Sequence, residues 1–225
     1  MPRAAIEAVI FDLDGVLVDT EREWDASRRD VAEEAGGRWG PEATTDMMGM
    51  SAPEWSRYMH ERLGVGLEPD EINSRVVARM LERARGGVHV MDGAVEAVGR
   101  LARRWPLGLA SSANRPVIEA VLESVGVAEL FAAVVSSEEV QRGKPAPDVY
   151  LAAAQKLDVE PPAAAAVEDS ENGLRSASAA GMVVIAMPNR EFPPSAEALA
   201  LADATIGSLH ELDPSLVVGA FHHLR

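Results

Sequence analysis

The sequence predicts an α/β fold: a mainly parallel, doubly wound sheet with a block of helices inserted after its first strand. Three observations predict it. Short apolar runs alternate with helical patterns through most of the chain. Those runs are apolar at every position, not every second one, as strands covered on both faces require. Between about Thr20 and Gly87 the alternation lapses, and helical segments follow one another with no strand among them.

Taken in order, Ala8–Phe11 is the first strand. The helical block then reads as Glu21–Ala35, Pro41–Met48, Ala52–Leu63 and Pro69–Arg85, punctuated by Gly and Pro. The alternation resumes with a helix over Gly93–Arg104 and a strand over Leu107–Ala110. A helix over Pro116–Val125 and a strand over Ala132–Val135 follow. The next helix, Pro147–Lys156, starts on a proline, whose missing N–H costs nothing in a first turn. Strand Ala163–Val167, helix Asn172–Ala180 and strand Val183–Met187 complete the pattern. The expected domains are therefore a core of residues 1–19 and 88–225, with residues 20–87 as an inserted helical domain.

A chain of 225 residues can bury a core of this size. With 36 acidic and 21 basic residues its formal net charge is −15, which argues against nucleic acid or an anionic membrane as partner. There is no cysteine, so disulfides and thiolate chemistry are excluded. The apolar run near the N-terminus is cut by Asp12 and Asp14, so no signal peptide is expected. No apolar stretch is long enough to span a bilayer. The expected setting is the cytoplasm, and the expected working unit is a monomer.

Three of the strands end in oxygen-bearing side chains. The first runs into Asp12 and Asp14, Leu107–Ala110 into Ser111 and Ser112, and Ala163–Val167 into Glu168 and Asp169. Ligands of open parallel sheets bind beyond the carboxyl ends of the strands, so these groups should meet in one crevice. Asp12 and Asp14, two apart, leave an extended chain on the same side. A single Asp after a strand is ordinarily a turn residue or a helix cap, but three convergent endings are not explained that way. Carboxylates crowded together repel unless a cation neutralises them. An all-oxygen set without His or Cys suits Mg²⁺.

Only two of the 21 basic residues are lysines, Lys144 and Lys156. Lys144 lies between Gly143 and Pro145 in "RGKPAPDVY", and Pro145 biases it towards an extended backbone. In a chain that otherwise uses arginine, this reads as a need for a compact point charge. Mg²⁺ and Lys144 together would make a local positive focus inside an acidic protein.

On these residues the sequence resembles the haloacid dehalogenase superfamily, in its phosphatase and β-phosphoglucomutase-like branch with a helical cap. The resemblance runs over nearly the whole chain. "DLDGVLVDT", "LASSAN", "GKPAPDVY" and "VEDSENGLRSASAAGM" match the four family motifs in order. It implies a Rossmann-like core and an aspartyl-phosphate intermediate. Asp12 would be the nucleophile and Asp14 the general acid and base. Mg²⁺ would be held by Asp12, the Asp14 carbonyl and Asp169, with Glu168 supporting through water. Ser111 would bond the transferring phosphoryl group, helped by Ser112, and Lys144 would stabilise its charge. Asp14 is the second carboxylate that true dehalogenases lack, so dehalogenation is disfavoured.

In such proteins the inserted cap closes over the crevice and reads the leaving group. "MMGMSAPEW" resembles the cap specificity loop, with Gly49 at its turn. Met47, Met48, Met50, Trp24 and Trp55 are the candidates to face substrate, against the plainer reading that they form cap core. β-Phosphoglucomutases carry a cap histidine near the position of Trp24 and a phosphate-gripping arginine near Ala52. Neither is present, which favours hydrolysis over mutase cycling. No cap lysine exists for Schiff-base chemistry.

Other motifs read as local structure. Thr20 followed by Glu23 is a capping-box pattern, with engagement of Asp14 by Thr20 as the alternative. Asp19 reads as a hinge or turn residue. Asn172 and Gly173 start a helix, with Asn172 within reach of a metal's waters. His60, His89, His210, His222 and His223 lie outside the motifs.

The expected function is a Mg²⁺-dependent phosphatase acting on a small-molecule phosphate ester, a sugar or polyol phosphate. The alternatives are a sugar phosphomutase and a non-catalytic binding protein of the same fold.

Overall fold

The computed structural model describes residues 5–190 and 192–223, with side chains as far as residue 221, so the side chains of His222 and His223 lie outside it. Strand β1 (Ala8–Phe11) is buried at every position. Its side chains alternate, with Ala8 and Ile10 entering one apolar layer and Val9 and Phe11 the other. Strand β2 (Val18–Asp19) follows, and it pairs antiparallel with β3 (His89–Val90), Asp19 facing His89. The chain thus leaves and re-enters the core through a two-stranded ribbon.

Between those strands lie α1 (Glu21–Glu34), α2 (Ala43–Met47), α3 (Ala52–Glu61) and α4 (Pro69–Arg85). Helix α4 buries Ile72, Val76, Met80 and Ala84, a stripe at a spacing of four residues. Each large aliphatic chain so buried contributes about 1.5–3 kcal/mol. Helix α3 starts at Ser51, where the Glu54 carboxylate accepts the Ser51 N–H at 2.8 Å and its hydroxyl at 2.6 Å. Met47 is fully buried among the helices, so it belongs to the core of this block and not to the crevice.

The remaining elements are α5 (Ala94–Ala102), β4 (Leu107–Ser111), α6 (Arg115–Val125), β5 (Phe131–Ser136), α7 (Asp148–Lys156), β6 (Ala164–Glu168) and α8 (Glu171–Ala179). Then come β7 (Val183–Ala186), α9 (Ala196–Leu199), β8 (Ala204–Thr205) and α10 (Pro214–His223). The sheet order is β5-β4-β1-β6-β7-β8, parallel throughout. The fold is a Rossmann-like α/β sheet flanked by helices, with the helical block inserted after β1.

The topology positions the site. From β1 the sheet grows through β4 to β5, then returns to the other side of β1 and grows through β6 to β8. The strand order therefore reverses at β1, and the crevice opens at its carboxyl end. Phe11 is level with Leu109 of β4 and Val167 of β6. The residues that follow those positions are Asp12, Ala110 and Glu168.

The predicted strands and helices match the observed ones to within three residues at either end. Two differences have physical causes. Helix α8 starts one residue earlier than Asn172, because the Ser170 hydroxyl caps it by accepting the Gly173 N–H at 3.1 Å. Thr20 precedes α1 but makes no side-chain cap, because its hydroxyl donates to the Asp14 carboxylate instead. The capping-box reading of Thr20 is thus replaced by its alternative. Strands β2, β3 and β8 and helices α9 and α10 lie outside the predicted elements; a two-residue strand leaves no periodicity to read. Among the described residues no helix is long and apolar enough to cross a membrane.

Candidate active site

Asp12, Glu168 and Asp169 bring carboxylate oxygens within 4.8 Å of one another at the strand ends. All three are buried, as is Lys144. The Lys144 ammonium donates to Asp12 Oδ1 at 2.7 Å and to Glu168 Oε1 at 2.5 Å, joining residues that lie 132 and 24 positions from it in sequence. The Lys144–Pro145 peptide is cis.

Glu168 is saturated with donors. Beside Lys144, the Tyr150 hydroxyl donates to Oε1 at 2.8 Å. Oε2 accepts the Asp169 N–H at 3.1 Å, the Ser170 N–H at 3.4 Å and the Ser170 hydroxyl at 3.2 Å. Asp169 accepts from the Asn189 amide at 3.2 Å. Two glycines make room for these side chains. A Cβ on Gly15, which has φ +80°, would lie 2.0 Å from Asp169 Oδ2, and one on Gly173 would lie 1.9 Å from Glu168 Oε2.

The electrostatics are those of an under-compensated acidic cluster. Burial pushes the Asp12 carboxyl up to about 8, against the pull of Lys144. Burial also raises Asp169 well above the usual carboxylate range, with the charges of Glu168 and Asp12 adding to it. Burial alone would lower Lys144, but Asp12 and Glu168 overcome it and hold the ammonium charged. Tyr150 is pushed far up by burial and by Glu168, so it remains a donor. Three carboxylates against one ammonium leave room for a further positive charge. The donors are all hard oxygens, and with five bonds already made Glu168 is the least free to ligate. Asp12 and Asp169 therefore fit a divalent cation, with Glu168 supporting them.

Asp14 sits at the junction with the helical block. Its Oδ1 accepts from the Thr20 hydroxyl and from the Trp24 indole N–H, the latter at 3.1 Å. Burial raises its carboxyl, and those two bonds oppose the rise.

A cavity of about 480 Å³ opens over Asp12, Asp14, Lys144 and Asp169. The helical block forms its roof: Trp24, Met48, Gly49, Met50 and Trp55 all line it. Gly49 lies against the core, with its carbonyl 3.5 Å from the Ser112 hydroxyl. Asn172 lines the cavity near Gly49. Ser112 also lines it, but Ser111 does not. Ser111 is fully buried, with its Oγ accepting the Ala113 N–H at 3.0 Å, so it braces the loop that carries Ser112. His210 pairs with Asp92 at 3.1 Å and His60 with the Leu67 carbonyl, neither in the cavity.

Sequence reasoning missed Tyr150, Glu21 and Arg28. Tyr150 lies in the first turn of α7, a helix rich in apolar residues, and reads as core. Arg28 lies on the cavity wall with its guanidinium carbon 5.2 Å from both the Trp24 and the Trp55 ring centroids. The one sequence signal for it is the spacing Glu21, Trp24, Arg28, which places all three on one face of α1.

Comparison with known proteins agrees with this geometry. A family model of haloacid dehalogenase-like hydrolases matches residues 6–181. Hexitol phosphatase B of Escherichia coli is 32% identical over 222 residues, covering 95% of this chain and 97% of that one. A probable pseudouridine-5'-phosphatase of Drosophila melanogaster is 32% identical over 216 residues, covering 91% of this chain and 90% of that one. Among solved structures, β-phosphoglucomutase from Clostridium difficile superposes with a TM-score of 0.84 over 97% of this chain and 98% of that one, at 21% identity. The chain belongs to the haloacid dehalogenase-like hydrolases, and the two relatives that it matches at 32% identity are named as phosphatases.

Proposed function

We propose that the protein is a Mg²⁺-dependent phosphatase that hydrolyses a small cytosolic sugar or polyol phosphate through an aspartyl-phosphate on Asp12. The observation that carries it is the buried Lys144 bridging Asp12 and Glu168 beside Asp169, under a cavity roofed by the helices. Residues 20–87 act as the cap, moving on the β2–β3 ribbon.

Asp12 attacks phosphorus; a bond forms from its carboxylate oxygen as the bond to the leaving alkoxide breaks. Asp14 gives its proton to that alkoxide. Two donors already occupy Oδ1, so the proton sits on Oδ2, and burial favours this protonated form. Water then attacks the aspartyl-phosphate, Asp14 takes its proton, and Asp12 and inorganic phosphate are released. Lys144 orients Asp12 and offsets charge on the transferring group, and Ser112 adds a hydroxyl donor. Asp12, Asp169 and the Asp14 carbonyl would hold Mg²⁺, which supplies charge neutralisation at the phosphoryl oxygens.

Hydrolysis is preferred over mutase cycling because the Trp24 indole donates to Asp14 and cannot exchange a proton with substrate. The test is phosphate release from a panel of sugar, polyol and nucleotide monophosphates, with and without Mg²⁺, beside Asp12→Asn. Metal-dependent release lost in the variant is the expected result. No release from any compound overturns the phosphatase; isomerised phosphate ester in its place supports the mutase.

A further inference from the structure

We infer that Arg28 and Glu21 recognise the leaving group, gripping neighbouring hydroxyls of an uncharged polyol chain. The inference rests on the phosphatase reading and names the part of that site which selects substrate.

Arg28 is only 8% exposed, yet its Nε has no hydrogen-bond partner. It makes no ion pair or hydrogen bond among the described residues. Two indole faces flank the guanidinium, from Trp24 and Trp55. Those rings satisfy its charge in part, but they accept none of its N–H groups in the plane of the fork. A role in packing alone would leave a buried donor unanswered, which folded proteins avoid. The side chain also lines the cavity that contains Asp12 and Lys144. Nε itself is closed off from the cavity, so the donors that a ligand's oxygens would meet are the terminal Nη groups.

The chemistry of that ligand follows from the neighbours. Glu21 lines the same cavity from the same helix, two turns before Arg28. The charges of Glu21, Asp14 and Asp25 all bear on Arg28. A second phosphate on the substrate would meet these carboxylates with only one arginine to offset them. A hydroxyl pair meets no such conflict, since its oxygens accept from Arg28 and its protons go to Glu21. Arg28 supplies only donors while the Glu21 carboxyl supplies acceptor oxygens, so the two together read a group that offers both.

Binding is the decisive measurement, made in the full chain with Asp12→Asn so that ligand persists. Dissociation constants for glucitol 6-phosphate, phenyl phosphate and fructose 1,6-bisphosphate are read from the fluorescence of the tryptophans, with Mg²⁺ present. Adding Arg28→Met, which keeps the length between the rings, is expected to weaken glucitol 6-phosphate at least tenfold more than phenyl phosphate. Arg28→Lys should recover part of that difference, and Glu21→Gln should reproduce part of the loss. Equal weakening of both ligands, or none, overturns the inference and leaves Arg28 a packing residue. Preferential loss of the bisphosphate overturns it in favour of a second-anion clamp. Should wild-type protein bind these ligands but release no phosphate, the phosphatase fails while the selectivity of Arg28 is still decided.

Discussion

Lys144→Met removes the ammonium from a buried acidic cluster while keeping a chain of similar length. In the native protein that ammonium lies 2.7 Å from Asp12 and 2.5 Å from Glu168, with side-chain exposures of 3%, 9% and 0% for the three groups. Breaking a buried pair by removing one partner costs about 3–5 kcal/mol, because the other charge is left uncompensated. For a domain of this size 1 kcal/mol moves the melting temperature by about 2–4 °C, so a fall of roughly 6–20 °C is expected. The loss depends on pH in a definite direction. Asp12 has its folded pKa raised to about 8 even with Lys144 in place, so the folded state binds more protons than the unfolded one below that pH. Without Lys144 the carboxyls are raised further. The penalty is then largest above pH 8, where the cluster must be charged, and shrinks as protonation relieves it on acidification. The assay is thermal and urea unfolding of both proteins between pH 5 and 9, with chelator and then with excess Mg²⁺. Mg²⁺ should recover part of the loss. A melting temperature within 2 °C of wild type at pH 8 in chelator would refute this account of the cluster.

Three further outcomes are expected. Gly15→Ala places a methyl 2.0 Å from Asp169 Oδ2 and should reduce phosphate release by more than about 100-fold; Gly36→Ala, with a similar φ of +77° and open space around it, should lose only about 1 kcal/mol of stability. Asp14→Asn keeps an acceptor for Thr20 and Trp24 but loses the transferable proton, so steady-state turnover should fall by about 10²–10⁴-fold with the fold intact. Glu21→Gln tests burial of that carboxyl, which is pushed up to about 7. A raised folded pKa means stability lost as pH rises from the unfolded value near 4.5 through 7. The variant should therefore be more stable than wild type at pH 8 by about 1–3 kcal/mol, with the difference vanishing below pH 4.5; equal melting curves at pH 8 would contradict it.

The sequence by itself determined the layers and the identity of the strand ends. Continuous apolar runs and helical stripes are local patterns, and Ala8–Phe11 and Pro69–Arg85 were legible to the residue for that reason. Carboxylates after strands were legible because parallel topology collects strand ends in one crevice, and Lys144 because the chain has so few lysines. What only the tertiary structure decided were choices between partners. Thr20 had a backbone N–H and a carboxylate within reach, and the charged acceptor took its hydroxyl. Ser111 and Ser112 are adjacent and chemically identical, and only the path of the loop put one behind the wall and the other on it. Tyr150 and Arg28 sit on helix faces that periodicity assigns to packing; their polar ends matter because of groups far away in sequence. Periodicity specifies which face of an element is buried. What that face meets depends on how distant elements are brought together, and a hydrogen bond is won or lost over tenths of an ångström that no local pattern encodes.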